Sequence, residues 1–312
     1  MFHVIIIGNG PAGCGAATYV GRGNRKTLML TGVMWGGHLT TTTTVYNYIG
    51  YPQVDGLQLM ELMMQQAKES DVIIREELAI KVNFHQEDNW HEVITSEGNS
   101  YRAPIIIIAT GAKHKQLPLS KSEEFRNCGI YYCATCDGTL FKNDTTPVVV
   151  VGGGNTALTE ALYLSTICKK VIIIHRRDKF RGEPFLIKQV KQKSNIEIQW
   201  DTEITDLRGH KTLDAITITN TKTEATHIIE TRAVFIAIGF EPNTKIFKNS
   251  HLELLEGGYI KVDNYQKTNM RGVYAAGDVC DFQYRQAITA AGDGAKAAMG
   301  ALAELASLII NS

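Results

Sequence analysis

Val4-Ile-Ile-Ile-Gly8-Asn-Gly10-Pro11-Ala12-Gly13 is an apolar run that ends in a glycine turn, and Val148-Val-Val-Val-Gly152-Gly-Gly154-Asn155-Thr156-Ala157 repeats it in mid-chain. Four apolar residues bounded by glycine read as a buried strand. The stretches that follow, Ala16 to Val20 and Leu158 to Thr166, read as helices. Another apolar strand comes next both times, Thr27 to Leu30 and Val171 to Ile174. Each stretch is a βαβ unit, which requires a parallel sheet. The chain is therefore α/β, with two Rossmann-like dinucleotide-binding domains.

A second echo places the domain edges. Ile105 to Ala109 with Thr110-Gly111 is matched by Val234 to Ala237 with Ile238-Gly239, as the closing strand of each unit. Too little chain remains after Gly239 for a third domain. Yet Gly272-Val-Tyr-Ala-Ala-Gly277-Asp278 is one more strand running into a glycine. The tail is expected to return to the first domain, so that 1–113 and 243–312 make one domain and 114–242 is inserted into it. Pro118 and Pro242 suit the two linkers, and two crossings favour a hinge. The run Thr40 to Thr44 reads as a β-prone loop.

The glycines carry a specific physical demand. Gly8, Gly10 and Gly13 serve a tight turn, close backbone approach to a pyrophosphate, and packing of helix on strand; Gly152, Gly154 and Ala157 repeat the set. A 2′-hydroxyl is held by an acidic residue after the second strand, whereas a 2′-phosphate is held by arginine. The second site has His175-Arg176-Arg177 with Arg181 just beyond, which selects NADPH. Thr31-Gly32 at the first site is neither acidic nor basic and leaves that nucleotide open.

The 312 residues are 44% hydrophobic, enough to bury cores for two domains. Lys plus Arg and Asp plus Glu both total 32, a net charge of zero that argues against general attraction to nucleic acid or membrane. The first apolar run is too short for a signal peptide and no run is long enough to span a bilayer, so a cytoplasmic protein is expected.

In a reducing compartment a close cysteine pair is catalytic or metal-binding rather than structural, and of six cysteines only Cys133 and Cys136 stand at Cys-x-x-Cys spacing. A zinc site needs four ligands and no second Cys-x-x-Cys exists, although Cys128 and a distant His could complete one. The redox reading has the stronger mechanism, because such a pair closes a small disulfide ring and often has a depressed thiol pKa. Asp137 beside it is a candidate acid/base, and no metal site is expected. Cys14 and Cys168 read as helix-packing residues; Cys280 carries no assignment.

Taken in order, Gly8 to Gly13, Gly36-Gly-His-Leu-Thr-Thr, Ala109-Thr-Gly111, Cys133-Ala-Thr-Cys-Asp137, Gly152 to Ala157, His175-Arg-Arg-Asp-Lys-Phe-Arg181, Gly277-Asp278 and Arg285-Gln-Ala287 resemble the low-molecular-weight thioredoxin reductases over nearly the whole chain. The resemblance implies FAD in the first domain, NADPH in the inserted one, a homodimer, and thioredoxin as electron acceptor. It implies that Asn47, Asp278, Gln286 and Ala287 contact FAD and that Pro11, Ala12, Gly37, Leu39, Thr40, Ala109, Thr110, Gly111, Gly277 and Arg285 are cofactor-binding. Asn155 and Thr156 join the second loop. It also gives Cys136 the flavin side and Cys133 the substrate side, with hinge rotation alternating nicotinamide and disulfide at the flavin.

The pattern departs where a partner would dock. Cys128 precedes Gly129 where relatives often carry a basic residue, and Thr139-Leu140 replaces two aromatics. The same chemistry with another thioredoxin-like or glutaredoxin-like acceptor is the alternative. A flavin reductase with a different acceptor and a non-catalytic redox sensor are the further rivals.

Overall fold

The computed structural model describes residues 1–310 apart from 33, 34, 43, 86, 88 and 89, and for 41 and 308–310 the backbone alone. Thr43 of the threonine run thus lies outside the described residues. The chain forms two compact units, one made of Met1–Lys113 with Glu241–Ser312 and the other of His114–Phe240. The sequence pattern sets the second edge after 242 and the structure sets it after 240, and the short strand Phe240–Pro242 covers the difference. The helices are α1 (Pro11–Arg22), α2 (Gly56–Lys68), α3 (Ala134–Asp137), α4 (Asn155–Ile167), α5 (Pro184–Gln192) and α6 (Ala287–Ile310). No helix among the described residues is long and apolar enough to cross a membrane.

In the first unit a five-stranded sheet runs in the order 273–275, 105–108, 4–7, 27–30, 73–75, and every neighbouring pair is parallel. Successive side chains of a strand point to opposite faces, so Val4 and Ile6 meet α1, α2 and α6, while Ile5 and Ile7 meet a three-stranded antiparallel sheet and the segment around Phe247. All four are essentially excluded from water. Each such side chain contributes about 1.5–3 kcal/mol by burial. That is why a four-residue run with no polar alternation holds the centre of the sheet. Helix α6 lies against α1 along a seam of small residues: a Cβ on Gly15 would come 2.5 Å from Ala291 O, and one on Gly294 2.0 Å from Ala12 O.

The second unit follows the same plan. Its parallel sheet runs 196–200, 171–175, 148–151, 234–236, 130–131. Val148 and Val150 pack on α4 with Leu158 and Leu164, whereas Val149 and Val151 pack on the antiparallel sheet 202–209, 213–220, 226–230.

Two chain segments connect the units. The strands Ala112–His114 and Phe240–Pro242 pair with each other, flanked by Lys115 N to Gly239 O at 3.0 Å and Asn243 N to Gly111 O at 2.9 Å.

Candidate active site

Each parallel sheet reverses its strand order at its first strand. In the first unit 27–30 lies to one side of 4–7 and 105–108 to the other; in the second, 171–175 and 234–236 flank 148–151 in the same way. Ligands of open α/β sheets bind beyond the carboxyl ends of the strands at such a switch point, and a glycine loop stands at each.

Geometry separates what the fold needs from what a ligand needs. Gly8 has φ +113° and a Cβ there would lie 2.1 Å from Ala109 O; Gly152 has φ +148° and would meet Ala237 O at 2.3 Å. Gly13 is barred from a side chain by Gly8 O at 2.0 Å. The middle glycines differ: a Cβ on Gly10 meets nothing nearer than Gly36 O at 4.0 Å, and one on Gly154 meets nothing within 4 Å. The protein alone gives no reason for glycine at 10 or 154, but a pyrophosphate brought onto the backbone does. Gly10 and Gly154 are also the N-caps of α1 and α4, and neither helix has a side-chain cap. In α2, by contrast, Asp55 accepts from Gln58 N at 3.0 Å. Uncapped amides and the positive dipole end suit an anion.

Around the first loop the structure gathers most of the residues expected there. Gly36 and Gly37 take left-handed φ of +73° and +65°, and Gly37 sits beside Gly10. Thr40 Oγ1 donates to Gly37 O at 2.8 Å, closing that turn, while Leu39 is partly buried against Val45, Val54 and Leu59. Asn47 Nδ2 donates to Gln286 Oε1 at 3.1 Å, joining residues 239 positions apart. Arg285, at φ +49°, is fixed by its amide to Asp281 Oδ2 at 2.9 Å, ahead of Gln286 and Ala287 at the start of α6. A Cβ on Gly277 would lie 2.8 Å from Ala12 Cβ, so Asp278 follows a segment packed on the first turn of α1 beside Pro11. Burial, then Asp281 and Asp293, push the Asp278 carboxyl up to about 6. Thr110 and Asn243 clasp each other just past Ala109, through Thr110 Oγ1 to Asn243 O at 2.9 Å and Asn243 Nδ2 to Thr110 O at 2.8 Å.

Around the second loop, Arg176, Arg177 and Arg181 are exposed and make no ion pair among the described residues. His175 is not presented with them. It is 5% exposed, lies under Gly153, and its Nε2 is 3.0 Å from Lys179 O, with burial first and the neighbouring arginines after lowering its pKa. It shapes the arginine turn from below. Thr156 and Ala157 belong to the first turn of α4, Ala157 fully buried.

Cys133 and Cys136 are joined as a disulfide with Cα atoms 5.3 Å apart. Cys133 caps α3 in extended conformation, its carbonyl accepting from Cys136 N at 3.2 Å and Asp137 N at 3.0 Å. Both cysteines are half-buried, and burial pushes the Asp137 carboxyl up to about 6. Thr135, Thr139, Leu140 and Cys128 are exposed nearby in sequence. Cys14, Cys168 and Cys280 are buried, and no group of three or more metal-ligating side chains occurs among the described residues.

Sequence reasoning missed three residues. Glu160 on α4 reaches Ala134 N at 3.5 Å and holds the disulfide segment. His38 Nε2 contacts Ala112 O at 2.7 Å. Glu183 is tied to Asn155. None carries a local pattern, since each contact spans 26 or more positions.

Two dinucleotide folds on one chain, one bearing a Cys-x-x-Cys disulfide, define a nucleotide-dependent disulfide oxidoreductase. The family model for pyridine nucleotide-disulphide oxidoreductases matches residues 2–294. The chain is 42% identical to a thioredoxin reductase of Rickettsia felis, covering 95% of this chain and 96% of that one. It is 39% identical to one of Streptomyces clavuligerus, over 98% and 94%. The solved thioredoxin reductase of Giardia duodenalis superposes with a TM-score of 0.90 at 36% identity, covering 98% and 99% of the two chains. The chain belongs to the pyridine nucleotide-disulphide oxidoreductase family, and within it to the thioredoxin reductases.

Proposed function

We propose that this chain is an NADPH-dependent flavoprotein that reduces the disulfide of thioredoxin through Cys133 and Cys136. The observation that carries the reading is the Cys133–Cys136 disulfide on the same compact unit as an arginine-flanked glycine loop, in a chain whose other unit has a glycine loop without arginines. The open space over Gly10 and Gly154 fits the pyrophosphates of FAD and NADPH respectively. Asn47, Asp278 and the Arg285–Ala287 segment would hold the flavin nucleotide; Arg176, Arg177 and Arg181 would hold the 2′-phosphate. FAD, when bound, would supply the hydride and two-electron chemistry that links NADPH to the disulfide.

The chain's own residues handle the sulfur and the proton. Breaking the Cys133–Cys136 bond with two electrons gives two thiolate sulfurs, and Asp137, next in sequence to Cys136 and with its carboxyl raised to about 6 by burial, would hand a proton to this pair. Cys133 then attacks the acceptor disulfide, expelling one acceptor sulfur as thiolate. Cys136 resolves the mixed disulfide, which restores the Cys133–Cys136 bond and releases the acceptor as a dithiol. A homodimer in the cytoplasm is part of this reading.

The test is a yellow purified protein that consumes NADPH in the presence of thioredoxin and an aromatic disulfide reporter. Turnover with thioredoxin and none with glutaredoxin-like proteins is expected. Turnover with only a glutaredoxin-like acceptor overturns the partner, and no turnover with any dithiol protein overturns the function.

A further inference from the structure

Asn155 stands at the first position of α4, directly after the open glycine, yet its side chain is committed within the protein. Asn155 Oδ1 accepts from Glu183 N at 2.8 Å, and Asn155 Nδ2 donates to Glu183 Oε1 at 3.2 Å. Two further contacts fix the same pair of segments. Arg181 N donates to Gly153 O at 2.7 Å. Gly182 passes so close that a Cβ would lie 2.5 Å from Leu158 Cδ1 and 3.1 Å from Asn155 Oδ1. The glycine loop and the turn that carries Arg181 are thereby locked into one body.

We propose that Asn155 is a positioning residue for 2′-phosphate selectivity: it fixes the backbone under Arg181 and keeps the Glu183 carboxylate from neutralising the arginines. The proposal rests on reading this unit as the NADPH site. Glu183 is two residues from Arg181 in sequence, exposed, and negatively charged, so a released carboxylate becomes an intramolecular competitor for the guanidinium that a dianionic phosphate needs. While Asn155 holds it, Glu183 makes no ion pair with Arg176, Arg177 or Arg181 among the described residues. The amide suits this task because it accepts from a backbone N–H and donates to a carboxylate at once, whereas an ionised Asp has no donor to offer the Glu183 carboxylate.

The experiment is calorimetric binding of adenosine 2′,5′-bisphosphate and of adenosine 5′-monophosphate to the full chain. The wild-type chain should prefer the bisphosphate. Asn155→Ala should weaken the bisphosphate about tenfold, the loss expected for a hydrogen bond to a charged group, with the monophosphate little changed. Asn155→Asp should lose the preference too, and Asn155→Asp with Glu183→Gln should recover it, because the glutamine amide donates to the new carboxylate. The charge added at position 155 is common to both variants and cancels in the comparison. Equal weakening of both nucleotides by Asn155→Ala, or failure of Glu183→Gln to rescue, makes Asn155 a direct contact and overturns the proposal alone. A wild-type chain that binds the two nucleotides equally removes the NADPH reading and the proposal with it.

Discussion

Asp137 is separated from its ordinary acidity by burial, which raises its pKa to about 6 from 3.8. Reduction of a disulfide takes up protons, so the acid form of Asp137 is the productive one. The rate of dithiol formation should then fall as pH rises through about 6, and Asp137→Asn should remove that ionisation and slow the step about a hundredfold or more. Stopped-flow reduction across pH 5 to 8 reads both; an unchanged profile in the variant removes Asp137 from proton transfer. The sign for stability follows from the same shift. The folded chain holds this proton more tightly than the unfolded one, so its stabilising contribution is present at low pH and is lost as pH rises from about 4 to 6. The three unpaired arginines make a second residue-level prediction. Each charge-assisted contact to a 2′-phosphate is worth about 1.5–3 kcal/mol, so Arg176→Ala with Arg181→Ala should raise the NADPH KM strongly and leave NADH nearly unaffected. Equal losses in steady-state kinetics for both nucleotides would remove the assignment.

At the scale of elements, the strand–glycine–helix unit was legible because its demands are local: four apolar residues bury on both faces, and the glycines fix the turn. The fingerprint assigns the outer glycines to turn and packing and the middle one to the pyrophosphate, and the distances around each fit that division. Gly13→Ala drives a Cβ to 2.0 Å from the backbone oxygen of Gly8 and should cost about 1–3 kcal/mol of stability. Gly154→Ala enters open space, and its N-cap φ of −97° is ordinary for alanine, so stability should change by no more than about 1 kcal/mol while NADPH binding weakens. Thermal unfolding and nucleotide titration of the two variants give opposite orders if the division is right. What the sequence hid is contact across distance. His175 follows a buried strand and stands beside two exposed arginines, so it reads as part of their cluster. The ring instead continues the strand's buried face beneath Gly153. Glu160, Glu183 and His38 act through partners on other elements, which no spacing rule reports.

For the whole molecule, the return of the chain after residue 240 was legible from one extra strand, Val273–Ala275, that had no sheet of its own; it pairs in parallel with Ile106 to Ile108. An insertion joined by two paired segments has a physical consequence. Gly111 to Lys115 and Gly239 to Asn243 are hydrogen-bonded at both ends of their short ladder, so the two points where the second unit leaves the first are only one strand spacing apart. A two-residue Asn-Gly turn spans that gap in an antiparallel pair. Replacing residues 116–238 by such a turn keeps every strand of the first parallel sheet, the antiparallel sheet behind it, and the α1–α6 seam. The shortened chain should therefore fold, purify yellow with FAD, and unfold in one cooperative transition. It should reduce no disulfide, having lost Cys133 and Cys136, and should not distinguish NADPH from NADH, having lost Arg176, Arg177 and Arg181. A colourless but folded product would place part of the flavin site on the second unit; an unfolded one would show that the two units share their stability.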